Sequence, residues 1–191
     1  MLKACEGKVM KKIALLILLI LPACGTPSQD AQIDIYPSVT PSSIGNGVSL
    51  SITVDDARST GVIGAIDEDS QLVTSQDLAE LIGVALVDAY SKQGFNVTAE
   101  NTPGVVKMVV TLEDLSYTKD GALVTTTVAT KSRVKVDVAN KNYSNTYSNN
   151  EERTVPFSAN EATNNSILRS IMERMVERIA NDANLLGVLT R

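Results

Sequence analysis

The chain has 191 residues, with 17 Lys plus Arg against 22 Asp plus Glu, a formal charge of −5, and neither histidine nor tryptophan. Lacking histidine, it lacks the commonest general base and metal ligand near neutral pH, and an acidic chain has little with which to neutralise the phosphates of nucleic acid. Its two cysteines, Cys5 and Cys24, both precede the main body, so thiol catalysis and zinc–thiolate sites are excluded there too.

Lys11 and Lys12 open the first element, an apolar run from Ile13 to Leu21 that closes as Leu21-Pro22-Ala23-Cys24. A basic start, about 7–15 apolar residues and a small residue before the cut make a secretory leader. A cysteine directly after the cut makes it a bacterial lipoprotein leader. Cleavage between Ala23 and Cys24 and lipidation of Cys24 are therefore expected, with residues 1–23 removed as signal peptide. An uncleaved anchor would need about 20 apolar residues to span a bilayer, roughly twice this run. Met10-Lys11-Lys12 already begins a complete leader, so Met10 is a second candidate start. One acyl chain holds a protein weakly, at about 0.8 kcal/mol per buried methylene, whereas several chains anchor it durably. Gly25, in place of aspartate after the cysteine, points to the outer rather than the inner membrane. Removal of the leader takes away Lys3, Lys8, Lys11, Lys12 and Glu6, leaving 13 basic against 21 acidic residues. With Cys24 acylated no thiol remains for a disulfide, and stability must come from one domain's core.

Residues 24–32 read as lipidated cysteine and short polar tether. Ile33, Ile35 and Val39 suggest a first strand interrupted at Pro37. Asn46-Gly47 signals a tight turn, and Val48, Leu50, Ile52 and Val54 alternate as a half-buried strand. Asp55 to Asp69 has no clean period and reads as loop. Leu78, Leu81, Ile82, Ala85, Leu86 and Ala89 form a helical stripe, with Thr74 and Asp77 as a capping box and Gly94 as the stop. Val84, Val87 and Tyr90 widen its apolar surface, which implies a helix clamped between a sheet and another element. Phe95 to Thr98 is a short strand, and Val106, Met108, Val110 and Leu112 alternate in a longer one. In the next, Val124 through Val138 place every second residue on one face, with Lys131, Arg133, Lys135 and Asp137 opposite. Asn140 to Asn142 turn the chain, and Tyr143 to Val155 return as a polar strand. Ser158 with Glu161 opens a last amphipathic helix, with Ile167, Leu168, Ile171, Met172, Met175, Val176 and Ile179 on its apolar face. An apolar tail, Leu185 to Leu189, packs back. The whole predicts an α+β domain over residues 33–191, a mainly antiparallel sheet with two main helices packed on one face.

Patterns that could carry chemistry are few. Ser116/Lys119 and Ser132/Lys135 match the S-x-x-K spacing of serine acyl enzymes, which works where both residues share a helical turn. On a strand that spacing sends the side chains to opposite faces. The acidic pairs Asp55/Asp56, Asp67/Asp69 and Glu113/Asp114 read as solvated loop and strand-end charges, and no metal site is expected. Asp56 and Arg58 form a candidate loop clamp. The polar strand from Tyr143 to Glu152, with Tyr143, Thr146 and Tyr147, is a candidate sheet edge to which a partner could add a strand, or an edge blunted to prevent that pairing.

The order of these features resembles the YajG-like family of small bacterial lipoproteins. The resemblance rests on the leader to Cys24, Ile33-Asp34-Ile35-Tyr36-Pro37, the Val48 to Arg58 segment, and Gln71-Leu72-Val73 before Asp77-Leu78. It continues through Lys92-Gln93-Gly94-Phe95, Asn142-Tyr143 with Thr146-Tyr147, and the final helix. Pro22 and the residues before Met10 depart from the pattern. The resemblance implies a lipoprotein of the outer membrane facing the periplasm and brings no catalytic residues. The expected role is a non-enzymatic binding or scaffold module without cofactor, held by lipid on Cys24 and meeting an envelope protein but not nucleic acid. The alternatives are a cell-wall hydrolase or transferase using carboxylates and a carrier of muropeptides or other small ligands.

Overall fold

A computed structural model describes residues 28–98, 103–121, 124–139, 141–156 and 159–191. The leader, Ala23, Cys24 and Ser158 lie outside the described residues.

The strands are β1 (Ser28–Asp30), β2 (Ser49–Asp56), β3 (Val62–Ala65), β4 (Gln71–Val73), β5 (Asn96–Val97), β6 (Val106–Gly121), β7 (Thr125–Val138) and β8 (Tyr143–Pro156). The helices are α1 (Leu78–Lys92), α2 (Glu161–Ala180) and the short α3 (Ala183–Leu189). All eight strands join one sheet around β6. One side of β6 carries β7 along almost its whole length, and β8 follows as the outermost strand. The other side is shared: β2 runs beside Val106–Leu112, and β3 meets β6 at Gly64↔Tyr117.

The sheet is mixed, which corrects the expectation of a mainly antiparallel one. β6–β7, β7–β8 and β3–β4 are antiparallel, whereas β1–β4, β2–β5, β2–β6 and β3–β6 are parallel. For the pairs that β2 and β3 make with β5 and β6 the cause is α1, which returns the chain to the end of the sheet where β2 began, and a helical crossover of this kind is what parallel neighbours require. The stretch from Asp55 to Asp69, read as loop, contains β3, which pairs with β4 around a turn closed by Ile66 N donating to the Ser70 carbonyl at 2.8 Å.

Both major helices begin at a different cap from the one expected. Asp77, not Thr74, caps α1, its Oδ1 accepting from Glu80 N at 3.0 Å. Asn160 caps α2, accepting from Thr163 N at 2.9 Å. Each satisfies an amide that the first turn cannot. Gly94, at φ +84°, follows the α1 C-cap in the left-handed conformation that ends many helices. Val84 and Val87 do not widen a buried surface: they are 64% and 40% exposed, and α1 buries Leu78, Ile82, Ala85, Leu86, Ala89 and Tyr90 instead. Val124 likewise lies outside β7 and is exposed, while Thr126 to Val138 do alternate buried and outward.

The first described strand begins at Ser28, inside the segment read as tether. β1 pairs with β4, Asp30 accepts from Ser75 N and Oγ at 2.9 and 2.6 Å, and Ala31 is fully buried. The Ile33–Val39 segment, expected as a strand, is an extended strap with no strand partner among the described residues. Its odd-numbered residues are buried, and its even-numbered ones meet a ladder of side chains spaced four apart on α2. Gln32 N donates to Asn165, Asp34 pairs with Arg169, and Tyr36 N and Ser38 N donate to Glu173 and Glu177, the last at 2.7 Å. Two strap residues rise about 6.8 Å and four helical residues 6 Å, so the two periods stay nearly in step. The core between sheet and helices is filled by Leu50, Met108, Leu112, Val134, Leu168 and Met172 among others.

Candidate functional site

The face of β8 that meets the helices is held by polar contacts. Odd-numbered side chains point inward, and Tyr147, 3% exposed, is the most deeply placed. Its hydroxyl donates to Asp182 Oδ2 at 2.7 Å, and the Tyr143 hydroxyl lies 3.2 Å from that of Tyr147. Asn145 Nδ2 reaches the same carboxylate oxygen at 3.4 Å. Asp182 is also the N-cap of α3, its other oxygen accepting from Asn184 N and Leu185 N at 2.8 and 3.3 Å. One carboxylate therefore fixes both the start of α3 and the beginning of β8. Burial alone would raise the Asp182 pKa, but the Tyr147 hydroxyl, the two amides and Asn145 outweigh it and hold the carboxyl below its usual range. Burial, then the Tyr143 hydroxyl and Asp182, push the Tyr147 phenol far up, so it stays a donor.

Further along, Arg178 Nη1 donates to the Ser148 carbonyl at 2.7 Å and to Asn149 Oδ1 at 3.1 Å. Glu151 pairs with Arg153 and Arg174, and both arginines donate to Ser170 Oγ at 2.9 Å. Asn145, Thr146, Tyr147, Arg178, Asn181 and Asp182 line an open cleft of about 380 Å³ beside the strand. The outward face of β8 carries Ser144, Thr146, Ser148, Asn150 and Glu152, all exposed. Ala139 N donates to the Lys107 carbonyl, so odd-numbered β7 residues bond toward β6 and even-numbered ones toward their odd-numbered partners in β8, and strand alternation turns the backbone groups of the even-numbered β8 residues outward. Among the described residues β7 is the only strand beside β8.

The other candidates scatter. Arg58 grips Asp56 through Nε and Nη2 at 2.9 and 2.7 Å while its amide donates to the same carboxylate at 3.1 Å. This closes the bend after β2, far from β8 across the sheet. Burial raises the Asp56 pKa, but Arg58 overrides it and holds the carboxyl low. Asp67 sits in the β3–β4 turn, where its Oδ1 accepts from Asp69 N at 3.1 Å. Asp56 lies beside Leu112, and β3 meets β6 five residues further on. At about 3.3 Å per residue, Asp56 and Asp67 are more than roughly 15 Å apart along the sheet, beyond the span of a glycosidase carboxylate pair. Ser132 is buried on the inner face and Lys135 lies on the outer one, paired with Asp137 at 2.8 Å, so that S-x-x-K match brings nothing together. Among the described residues no group of three His, Cys, Asp or Glu is placed to hold a metal ion, and no helix is long and apolar enough to cross a membrane.

Sequence reasoning marked Tyr143, Thr146 and Tyr147 but missed Asp182, which organises them. The signal was available in part: an aspartate between two apolar helical runs is a cap. What it lacked was the register that brings Tyr147 to it.

An α+β domain whose described helices pack against one mixed sheet, with a polar strand at its margin, defines the class. Within it, the chain belongs to a family of uncharacterized lipoproteins, the YajG-like lipoproteins, whose model matches residues 37–190. No curated protein matches it. Solved structures that are similar include protein XCC0632 from Xanthomonas campestris, at 11% identity and TM-score 0.44 over 85% of this chain and 95% of that one. The rare lipoprotein B from Shewanella oneidensis shares 12% identity at TM-score 0.44, covering 72% of this chain and 96% of its own. A putative neuraminyllactose-binding hemagglutinin homolog from Helicobacter pylori shares 7% at TM-score 0.44, covering 85% and 97%.

Proposed function

We propose that this lipoprotein works by binding and not by catalysis. Lipid on Cys24 holds it at the periplasmic face of the outer membrane, and the free edge of β8 receives an extended segment of another envelope protein. The observation that carries this reading is the position of β8, a 14-residue strand at the margin of the sheet. Strand addition draws its affinity from main-chain hydrogen bonds and its selectivity from the side chains between them. The contacts to Asp182, Arg174, Ser170 and Arg178 fix β8 in place before any partner arrives, which lowers the ordering cost of docking. A second reading, an edge blunted against pairing, draws on Arg178, whose bond to the Ser148 carbonyl closes one docking position.

The test uses proline. At Thr146 or Asn150 the amide faces away from β7, and an edge strand tolerates proline there, but the position can no longer donate to an added strand. A photo-crosslinking residue at Ser144 should trap an envelope protein in cells, and Thr146→Pro with Asn150→Pro should abolish that product while the circular dichroism spectrum stays native. Undiminished crosslinking in the folded double variant would overturn strand docking.

A further inference from the structure

We infer that the domain stands on end on the bilayer, with the β3–β4 turn, the last residues of β6 and Val124 facing the lipid headgroups and the Tyr143–Tyr147–Asp182 cluster pointing away. This rests on the lipidation of Cys24. Four peptide units separate Cys24 from Ser28, a reach of at most about 14 Å. Ser28 stands in the sheet beside Gln71. β1 is paired with β4, Asp30 is bonded to Ser75, and Gln29 Oε1 accepts from Asn164 Nδ2 at 2.9 Å. Asn164 is fully buried and accepts in turn from the Tyr117 hydroxyl at 2.8 Å, so the point of attachment is tied to β6 and α2 together.

The direction of the chain chooses the end. β1 runs parallel to β4 with Ser28 beside Gln71, so the amino end of β1 lies toward the β3–β4 turn at Ile66–Ser70. That turn lies beside the end of β6, where Asp67 feels the charge of Lys119. The next turn of the sheet carries Val124, 69% exposed, and Pro156 lies across from Thr125. At the opposite end are the Asn46-Gly47 turn and Tyr143. The 13 steps of β7 separate the two ends by about 40 Å, roughly three times the reach of the tether. Asp67, Glu68, Asp69 and Asp120 outnumber Lys119 at the lower end and oppose adsorption driven by anionic lipid, so the tether and Val124 set the contact. β8 then rises along the membrane normal and offers its edge to the aqueous space.

Fluorescence quenching in vesicles tests this with the full chain, processed in cells and reconstituted in zwitterionic lipid doped with headgroup nitroxide. A lipidated Cys24 leaves no reactive thiol, so Val124→Cys, Asp120→Cys and Lys141→Cys can each be labelled singly. The expected result is quenching several-fold stronger at positions 124 and 120 than at 141. Equal quenching at both ends, or stronger quenching at 141, with palmitate bound to the protein overturns the orientation alone. A reactive thiol at Cys24 in the unsubstituted chain, without bound palmitate, overturns the anchor and the orientation with it.

Discussion

Replacing Asp182 tests the joint between β8 and the end of the chain. Asp182→Ala removes the N-cap of α3, worth about 0.5–2 kcal/mol, and the acceptor of a buried phenol, where a bond to a charged group is worth about 1.5–3 kcal/mol. The carboxylate is half-buried, which places its ionic share at the low end, and the two losses overlap because one side chain supplies both. The expected cost is about 2–4 kcal/mol, or a fall of about 5–15 °C in Tm for a domain of this size. Asp182→Asn keeps a good cap and an oxygen for Tyr147, and should cost about 1 kcal/mol or less near neutral pH. The charge has its own signature. Because the folded pKa lies below the ordinary value, the stabilisation is fully present above the unfolded pKa of about 3.9 and is lost as pH falls through the folded one. The gap in Tm between the unsubstituted chain and Asp182→Asn should therefore narrow as pH drops from 6 toward 2.5. Thermal unfolding of the mature chain, followed by circular dichroism across that range, measures both quantities. An Asp182→Ala variant that melts with the parent, or a gap to Asp182→Asn that ignores pH, would refute the assigned role.

Two further outcomes follow from the same geometry. Tyr147→Phe should cost about 1–2 kcal/mol in denaturant unfolding because it strips a half-buried carboxylate of its nearest side-chain donor; Tyr143→Phe, whose hydroxyl stands 3.5 Å from Asp182, should cost well under half as much. Gly64→Ala would place a Cβ 1.9 Å from the Tyr117 carbonyl oxygen, a backbone atom that cannot step aside. It should push β3 off β6 at about 2–4 kcal/mol, and amide exchange should quicken in β1, β3 and β4 while β7 stays protected; uniform exchange would argue against the close approach.

What the sequence displays is periodicity against a fixed boundary between water and core. β7 was legible because Thr126 to Val138 face inward at every second position and Lys131, Arg133 and Lys135 face out. The stripe of α2 was legible for the same reason at a period of 3.6. β3 and β4 have four and three residues, too few for a period to emerge from a charged, glycine-bearing stretch. Nor does a local pattern record which strand lies alongside, so the parallel pairing of β2 with β6 had no trace of its own. The strap shows the subtler failure. Ile33, Ile35 and Val39 alternate as a strand does, because a groove between helices imposes the same in-and-out period on extended chain as a sheet does. What distinguishes the two is the partner of the outward amides, and here the partners are Asn165, Glu173 and Glu177, written more than 130 residues later at intervals of eight and four. Val84 misled in the opposite direction, since an apolar residue on a helix need not be buried. Asp182 belongs with the strap: its helix-capping half is local and readable, while its hold on Tyr147 depends on a register 35 residues long. The expectation of a lipoprotein leader draws on linear order alone, because a leader is recognised as an unfolded line of residues, before any register exists. The edge proposed for docking on β8 comes into being only when the sheet has formed, so that proposal rests on the strand's marginal position more than on its composition.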